Sequence, residues 1–317
     1  MSDRKEWKAR IGQRMSECIE TWFTAEPMRR TALFFLASKL EDNMLFGQLT
    51  AIHYGMFSGK GADMDAASAG VELFILASDI LDDLEDGDAK DKPWMNVPLA
   101  SSIHIATALV TLAQQVLLDA APNDELRGRL AAMTNRQLLR SANGQMLDLE
   151  NDIRTEEAYL EMIEGKSASL MVWACMAGVM LAGRGWDESV ANYAKELGMA
   201  AQLSNDARDM LRWDDKSDFL QRKWTLVSIY LLEWDDEQAV WIRDYYGGRL
   251  TEADLRDKRE LFLQACQQSG ASLYGAVVSR MHYNRFAKLV EEMDADEGWK
   301  SRLLALTAGY VASEMEL

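Results

Sequence analysis

The chain has 317 residues, 48% of them hydrophobic, which is enough to form a large buried core. Its 51 acidic and 34 basic residues give a formal charge of −17, which argues against nucleic-acid binding because phosphate contacts need clustered cations. The three cysteines and three histidines are widely scattered, which argues against structural disulfides and against a zinc site. Free cysteines are typical of a reducing cytoplasm.

Neither an export signal nor a membrane span is predicted. The first residues, MSDRKEWKARIGQRM, are charged throughout and lack the apolar core of a signal peptide. The strongest apolar stretch, residues 168–183, is shorter than a transmembrane helix requires and is typical of a buried core helix. The sequence therefore predicts a cytoplasmic protein without a transmembrane segment.

Apolar residues recur at intervals of three and four along most of the chain, and the alternation typical of strands is nearly absent. Only four prolines occur. Turn and cap residues predict breaks at 87–98, 122–125, 155–157, 183–185, 214–218 and 247–248. We expect ten to twelve helices in a single all-α domain that spans residues 1–317.

A row of acids ends the first strongly apolar helix, VELFILASDILDDLEDGD at 71–88. At about 100° per residue its members share one helical face, with Glu72 on the same side two turns earlier. The row comprises Asp79, Asp82, Asp83 and Asp86. Carboxylates oppose the partial negative charge of a helix C-terminus, at a cost of a few tenths to about 1 kcal/mol each. The row, before the helix-ending Gly87, therefore predicts a bound cation.

A second helix repeats this spacing in the sequence QLSNDARD at 202–209. Stacked carboxylates raise one another's pKa values, and hard divalent cations such as Mg²⁺ relieve that repulsion. Two facing rows could hold two or three Mg²⁺ ions around a diphosphate and make it a good leaving group. A solvated acidic surface is the alternative, and the repeated row argues against it. The predicted metal ligands are Asp82, Asp83, Asp86, Asn205, Asp206 and Asp209.

Two lysines are candidates for binding the diphosphate. Lys166 begins the apolar stretch KSASLMVWACMAG, where we expect a helix N-terminus to face an anion together with the ammonium group. Lys223 and Thr225 precede the apolar run LVSIYLL. Either lysine alone could be a surface residue with a buried stem, so the prediction depends on their combination with the acidic rows.

Together these residues resemble the trans-isoprenyl diphosphate synthase (polyprenyl synthetase) family over about residues 72–232. The matching segments occur in the family's order and differ from its motifs at two positions, where Asn205 replaces Asp and Arg222 replaces Gly. The segments are Asp82-Asp83-x-x-Asp86, Gly144-Gln145 with Asp148, Tyr159 followed by Lys166–Leu170, Gln202-x-x-Asn205-Asp206-x-x-Asp209, and Asp218 followed by Lys223-x-Thr225.

The resemblance implies an isoprenoid synthase helical bundle around a central apolar cavity, Mg²⁺ as cofactor and a homodimer. It implies catalytic roles for Asp82, Asp83, Asp86, Asp206 and Lys166. It also implies that an allylic diphosphate contacts Lys166, Gln202, Lys223, Gln145 and Asp148. The small Ala77 and Ser78, which precede the first motif where related enzymes set chain length, imply room for a tail of more than one or two isoprene units.

Chain-elongating members carry a GGKRxRP segment and an arginine pair after the first motif. Here the nearest counterpart is Ser58-Gly59-Lys60-Gly61, and no arginine follows Asp86 before Pro93. A second diphosphate needs a dense cationic pocket, so these departures disfavour elongation.

Within the family, residues 53–88, the following Trp94-Met95 and the segment KWTLVSIYL resemble the ComQ-type peptide-pheromone prenyltransferases. That likeness implies transfer of a farnesyl or geranyl group to a tryptophan of a pheromone precursor peptide used in quorum sensing. A class I terpene synthase and a chain-elongating synthase stay open as alternatives. A non-catalytic lipid-diphosphate-binding or partner subunit is a further alternative.

Overall fold

The computed structural model describes residues 2–87, 89–214 and 216–310, and these ranges contain helices but no β-strand. The α-helices are α1 (Ser2–Trp22), α2 (Glu26–Lys39), α3 (Leu45–Met56), α4 (Met64–Asp86), α5 (Leu99–Asp119), α6 (Asp124–Glu150), α7 (Glu156–Ile163), α8 (Ser169–Leu181), α9 (Glu188–Met210), α10 (Leu226–Glu233), α11 (Val240–Tyr246), α12 (Arg259–Ser269), α13 (Ala271–Glu292) and α14 (Glu297–Thr307). Short 3-10 helices occupy Pro93–Asn96, Glu237–Ala239, Glu252–Leu255 and Ala308–Tyr310, and a π-helical turn occupies Glu164–Ala168. The predicted all-α class is confirmed.

Most predicted breaks coincide with helix ends. Gly87 ends α4 in the left-handed conformation at φ 71°, and α7 begins at Glu156 after its N-cap Thr155. The described ranges contain more helices than the ten to twelve predicted. One reason is that residues 234–236, which follow α10, contain neither Gly nor Pro to mark a break.

The described residues form two compact units. The first unit comprises those within Met1–Leu138, Met171–Ala191 and Met293–Leu306. The second comprises those within Leu139–Leu170, Asn192–Glu292 and Thr307–Leu317. A single domain over 1–317 stays a prediction.

Helix α4 is deeply buried in the first unit, where every residue from Ala66 to Ala77 is buried. It packs against α1, α3 and α5. A Cβ atom at Gly70 would lie 2.7 Å from the Leu117 backbone nitrogen of α5, so only glycine permits this approach of the two helices. The Phe74 ring packs edge-on against Trp173 at 5.0 Å between centroids. The acidic row at the end of α4 therefore extends from a rigid, apolar stem.

An aromatic cluster forms part of the core of the second unit. The Phe219 ring stacks on Phe262 with 3.9 Å between centroids, and Trp213 and Tyr245 lie 5.6 and 5.3 Å from Phe219. Because Trp213 and Phe219 belong to the segment that joins α9 to α10, the cluster holds this segment against α11 and α12.

Helix α5 is the one helix in the described ranges whose length and mean hydropathy, 1.4, would also suit a membrane span. Its buried residues include Ile105, Leu109 and Leu112, and it packs against α4, as a core helix does. The more apolar α8 has only 13 residues, and Trp173 and Cys175 within it are buried. This agrees with the expectation of a core helix at 168–183.

Candidate active site

The first acidic row lies in the last two turns of α4, on the predicted face. Asp79, Asp82, Asp83 and Asp86 are all partly exposed there, whereas Glu72, two turns earlier, is fully buried. The helix has no basic residue in its last turn to offset the row. The row is therefore accessible to a ligand while its stem is fixed in the core.

Lys39 of α2 forms ion pairs with two acids on this face. Its Nζ atom lies 3.0 Å from Asp79 Oδ2 and 3.8 Å from Glu72 Oε2, and its side chain is only 7% exposed. Glu72 Oε1 also accepts a hydrogen bond from the Gly47 backbone N–H at 2.7 Å. Burial lowers the pKa of Lys39, but the charges of Asp79 and Glu72 outweigh burial and raise it overall. Lys39 therefore neutralises charge on Asp79 and Glu72. The candidates for binding a metal ion in this row are Asp82, Asp83 and Asp86.

Asp83 also receives a hydrogen bond at its carboxylate. The Trp94 indole N–H, in the 3-10 helix that follows α4, donates to Asp83 Oδ2 at 2.8 Å. Among the residues predicted to set tail length, Ala77 is fully buried and Ser78 is partly buried. Their role in tail length stays a prediction.

The second row lies on α9 within the second unit, and Asp206 is its most constrained member. The buried Tyr159 hydroxyl of α7 donates to Asp206 Oδ2. Gln202 Nε2 donates to Asp206 Oδ1 at 2.7 Å, and Ser167 Oγ donates to Gln202 Oε1 at 2.5 Å. The predicted substrate ligand Gln202 therefore orients Asp206.

The outer members of the second row are bound to arginines. Asn205 is exposed, and its Oδ1 accepts a hydrogen bond from Arg208 at 2.9 Å. Asp209 Oδ1 lies 3.5 Å from Arg208 Nε and 3.9 Å from Arg212. These ion pairs involve mainly exposed side chains, so a metal ion could displace them at a small cost.

Carboxylates of the second unit form a cluster in which charge repulsion adds to the effect of burial. Burial raises the pKa of Asp206 to about 6; the nearby charge of Asp148 adds to the rise, and the hydrogen bonds from Tyr159 and Gln202 oppose it. Burial also raises the pKa of Asp218 well above its usual range, with Asp206, Asp209 and Asp148 adding to the rise. Ionising this cluster in the absence of a cation is therefore unfavourable.

Lys166 contacts this cluster through Asp148. Its Nζ atom donates to Asp148 Oδ2 at 2.6 Å, and both side chains are largely buried. A Cβ atom at Gly144 would lie 2.1 Å from the Lys166 backbone nitrogen, so glycine is required where α6 meets the Lys166 turn. Gln145 follows Gly144 and is partly buried.

The predicted helix N-terminus at Lys166 is wrong. Lys166 lies in the π-helical turn Glu164–Ala168, which joins α7 directly to α8. The N-terminus of this continuous helical segment is at Glu156, and no free backbone N–H groups of a first turn are available beside Lys166. Only the Lys166 ammonium group remains as an anion ligand.

The Lys223 segment is held in a fixed conformation. The Lys223 N–H donates to the Asp218 carbonyl at 2.8 Å, and Thr225 caps α10 in a reciprocal pair with Ser228. Arg222 adopts φ 56°, the left-handed conformation that favours the glycine of the family motif. Its guanidinium group lies 4.3 Å from the Tyr245 ring centroid and donates to the Leu250 carbonyl at 2.8 Å. These contacts offset the backbone strain of a non-glycine residue.

The donor chemistry of both rows fits magnesium. Within residues 2–87, 89–214 and 216–310, no three His, Cys, Asp or Glu side chains lie close enough to hold a metal ion as they stand. The donors are nevertheless carboxylate and amide oxygens. Burial, to which the charge of Asp148 adds, raises the pKa of Asp206, and a hard cation beside this carboxylate would favour its ionised form. The six metal ligands predicted from the sequence stay a prediction.

Sequence reasoning assigned no role to four residues that the structure brings to the two rows. Tyr159 and Asp218 belong to family motifs, and that position in a motif was the available signal. Trp94 was part of the likeness to ComQ-type enzymes, but that likeness did not indicate its contact with Asp83. Lys39 carries no signal in the sequence, because its contacts with α4 depend on tertiary packing.

Comparison with known proteins identifies the family of the chain. The family model described as polyprenyl synthetase matches residues 43–262. The chain is 29% identical over 296 residues to the tryptophan prenyltransferase ComQ of Bacillus subtilis subsp. natto (strain BEST195), which covers 93% of this chain and 90% of that protein. It is 28% identical over 274 residues to a short chain isoprenyl diphosphate synthase of Methanothermobacter thermautotrophicus, which covers 80% of each chain.

The fold is also similar to that of solved enzymes. Geranylgeranyl pyrophosphate synthase from Corynebacterium glutamicum, crystallised with isoprenyl diphosphate and magnesium, matches with a TM-score of 0.82 at 16% identity, over 98% of this chain and 99% of that chain. The fold similarity confirms the isoprenoid synthase class, and the family model covers most of the chain. The chain is an isoprenyl transferase and belongs to the polyprenyl synthetase family.

Proposed function

We propose that the protein is a Mg²⁺-dependent prenyltransferase that ionises farnesyl or geranyl diphosphate and transfers the prenyl group to a tryptophan of a precursor peptide. The carboxylate cluster around Asp206, beside Lys166 and Lys223, is the observation that carries the proposal. Asp206 is a partly buried carboxylate whose pKa is raised to about 6, which favours binding of a cation beside it, and the lysines supply charge for an anion.

The residues that would hold Mg²⁺ are Asp82, Asp83, Asp86, Asn205, Asp206 and Asp209. Bound Mg²⁺ would neutralise the diphosphate and make it a better leaving group. Tyr159 and Gln202 fix both carboxylate oxygens of Asp206, so this ligand is oriented before a cation arrives. Trp94 does the same for Asp83.

Lys166, Lys223, Gln202 and Gln145 would contact the diphosphate oxygens, with Asp148 orienting the Lys166 ammonium group. The bond between the allylic carbon and the diphosphate oxygen breaks, and diphosphate leaves with the electron pair. The indole of the acceptor then forms a bond to the allylic carbon, and the indole proton passes to the released diphosphate. No separate general base is needed.

Two observations support a peptide acceptor over a second diphosphate. The relative named above is a tryptophan prenyltransferase that aligns with most of this chain. The cations that follow the first row also do not form a dense pocket, since Lys90 is exposed and Lys92 lies over the Trp94 ring at 5.5 Å from its centroid. Two diphosphates in one cavity would need more positive charge than this.

Incubation of the purified protein with farnesyl or geranyl diphosphate and Mg²⁺ tests the proposal. We expect a prenylated product only when a tryptophan-containing peptide is added, and none from the same peptide with Phe in place of Trp. A hydrocarbon formed without any acceptor would identify a terpene synthase. Product formed only with isopentenyl diphosphate would identify a chain-elongating synthase.

Chain elongation is the second candidate because Asp206 and Asp209 keep the second motif and because an archaeal short chain synthase is also similar to the chain. A non-catalytic subunit that binds a lipid diphosphate is the third. If no acceptor led to release of diphosphate, the non-catalytic subunit would be favoured over the prenyltransferase and over the chain-elongating synthase.

We further propose a homodimer in the cytoplasm. Residues 99–118 of α5 carry no charged side chain, although Leu99 and Ile103 are 59% and 45% exposed. An exposed, uncharged helix face suits contact with a second copy of the chain. Sedimentation of the wild type and of an Ile103→Asp variant tests this, and equal masses at the monomer value would contradict it.

A further inference from the structure

Trp94 combines deep burial with a polar contact to the first acidic row. Its side chain is only 2% exposed, and its indole N–H donates to Asp83 Oδ2 at 2.8 Å. A buried indole N–H needs an acceptor, and most acceptors in proteins are backbone carbonyls or neutral groups. Here the acceptor is a carboxylate of the row, so the hydrogen bond is charge-assisted and correspondingly strong.

The indole is held from several sides within the first unit. The Phe35 ring of α2 packs edge-on against it with 5.8 Å between centroids. Ser102 Oγ of α5 donates to the Trp94 carbonyl at 2.7 Å, and Lys92 Nζ lies 5.5 Å from the ring centroid. Because Phe35 of α2 packs against the ring and Ser102 of α5 holds the Trp94 backbone, contacts other than Asp83 also hold the indole in place.

Asp83, by contrast, belongs to the last turn of α4. Its backbone carbonyl accepts from the Gly87 N–H at 2.9 Å, and the helix ends there. An aspartate side chain in a final helical turn has several accessible rotamers. The bond from Trp94 selects one of them and occupies one lone pair of Oδ2.

We propose that Trp94 is a positioning residue that orients Asp83 for Mg²⁺ binding. The inference rests on the proposed function, because it assumes that Asp83 is a metal ligand. Partners that orient a metal ligand typically contribute 10- to 100-fold to metal affinity. Trp94 acts through Asp83 and contacts neither substrate nor cation.

A second tryptophan of the first unit provides a matched control. Trp173 is 1% exposed, packs edge-on against Phe74 at 5.0 Å, and donates its indole N–H to Thr134 Oγ1 at 3.1 Å. Trp94→Phe and Trp173→Phe therefore remove the same group from similarly packed rings. They differ in the acceptor, which is a row carboxylate in one case and a neutral hydroxyl in the other.

The test is a calorimetric titration of Mg²⁺ into the full-length protein with inorganic pyrophosphate, together with the melting temperature of each metal-free variant. We expect Trp94→Phe to weaken Mg²⁺ binding about 10- to 100-fold and Trp173→Phe to leave it within about twofold of the wild type. Turnover should follow the same order, with the loss in Trp94→Phe partly recovered at high Mg²⁺ concentration. A purely structural role would lower both melting temperatures without separating the two Mg²⁺ affinities.

Unchanged Mg²⁺ affinity in a folded Trp94→Phe protein would overturn this inference and leave the proposed function intact. A wild type that binds no Mg²⁺ with pyrophosphate would overturn both the inference and the proposed function. If Trp94→Phe does not fold, Ser102→Ala tests the same point, because it releases the Trp94 backbone and keeps the ring. We then expect Mg²⁺ binding about three- to tenfold weaker, and wild-type affinity in Ser102→Ala would overturn the inference.

Discussion

Replacing Asp206 with asparagine should stabilise the metal-free protein while it abolishes activity. Burial raises the pKa of Asp206 from 3.8 to about 6, so the ionised form is unfavourable in the folded state. Each pKa unit corresponds to 1.36 kcal/mol, and a rise of about two units is therefore worth up to about 3 kcal/mol. Asparagine resembles the protonated acid and does not carry this cost at neutral pH.

The sign of the pH dependence follows from the raised pKa. Protonated Asp206 stabilises the fold fully below pH 3.8, and that contribution is lost as the pH rises through about 6. The variant has no such loss, so its advantage should be largest above pH 7 and should vanish near pH 4. The asparagine can accept from Gln202 with its oxygen and donate to the Tyr159 hydroxyl with its amide, which preserves both contacts.

The assay is the melting temperature in EDTA at pH 7.5 and at pH 5. We expect Asp206→Asn to melt a few degrees above the wild type at pH 7.5, with a smaller difference at pH 5. Asp214→Asn is the matched control, because hydrogen bonding from Arg212 lowers the pKa of this exposed acid and its removal should bring no gain. An Asp206→Asn protein that melts at or below the wild-type temperature at pH 7.5 would refute the reasoning.

Three further changes test separate parts of the site. Asp82→Ala should abolish diphosphate release and leave the helical circular dichroism spectrum intact; full activity would exclude Asp82 as a metal ligand. Lys39→Met leaves Glu72 buried without its cation and should lower the free energy of unfolding in urea by about 3–5 kcal/mol, whereas a loss below about 1 kcal/mol would contradict a buried ion pair. The Arg222→Ala protein should melt at a lower temperature than the Arg222→Gly protein. Both variants lose the Tyr245 contact, but only alanine keeps the backbone strain at φ 56°, which costs about 1–2 kcal/mol. The reverse order of melting temperatures would show that backbone strain is unimportant at this position.

Local signals in the sequence predicted much of the fold. The three- and four-residue apolar spacing predicted the helices, and Gly87 ended α4 as expected because glycine readily adopts φ 71°. The N-cap Thr155 and the Asp124 start of α6 were equally local features. Such features depend on a few neighbouring residues, so the sequence contains all the information that they need.

Contacts between distant segments could not be predicted in this way. Lys39 neutralises Asp79 from 40 positions away, and no local rule pairs these two residues. The predicted helix start at Lys166 failed for a similar reason. The apolar stretch does begin at Lys166, but a π-helical turn keeps the helix continuous there, where Gly165 lies in close contact with Gly144 of α6. The family motifs predicted the candidate site residues, and tertiary packing determines which hydrogen bonds and ion pairs hold their side chains.

The proposed function requires that each acidic row binds divalent cations in the presence of a diphosphate. A crystal structure of the protein grown with Mn²⁺ and pyrophosphate, with anomalous diffraction data, tests it most directly. We predict anomalous peaks at coordination distance from carboxylate oxygens of both Asp83 and Asp206, with pyrophosphate oxygens completing the coordination. Pyrophosphate bound by lysines alone, with no metal peak at either row, would contradict the account.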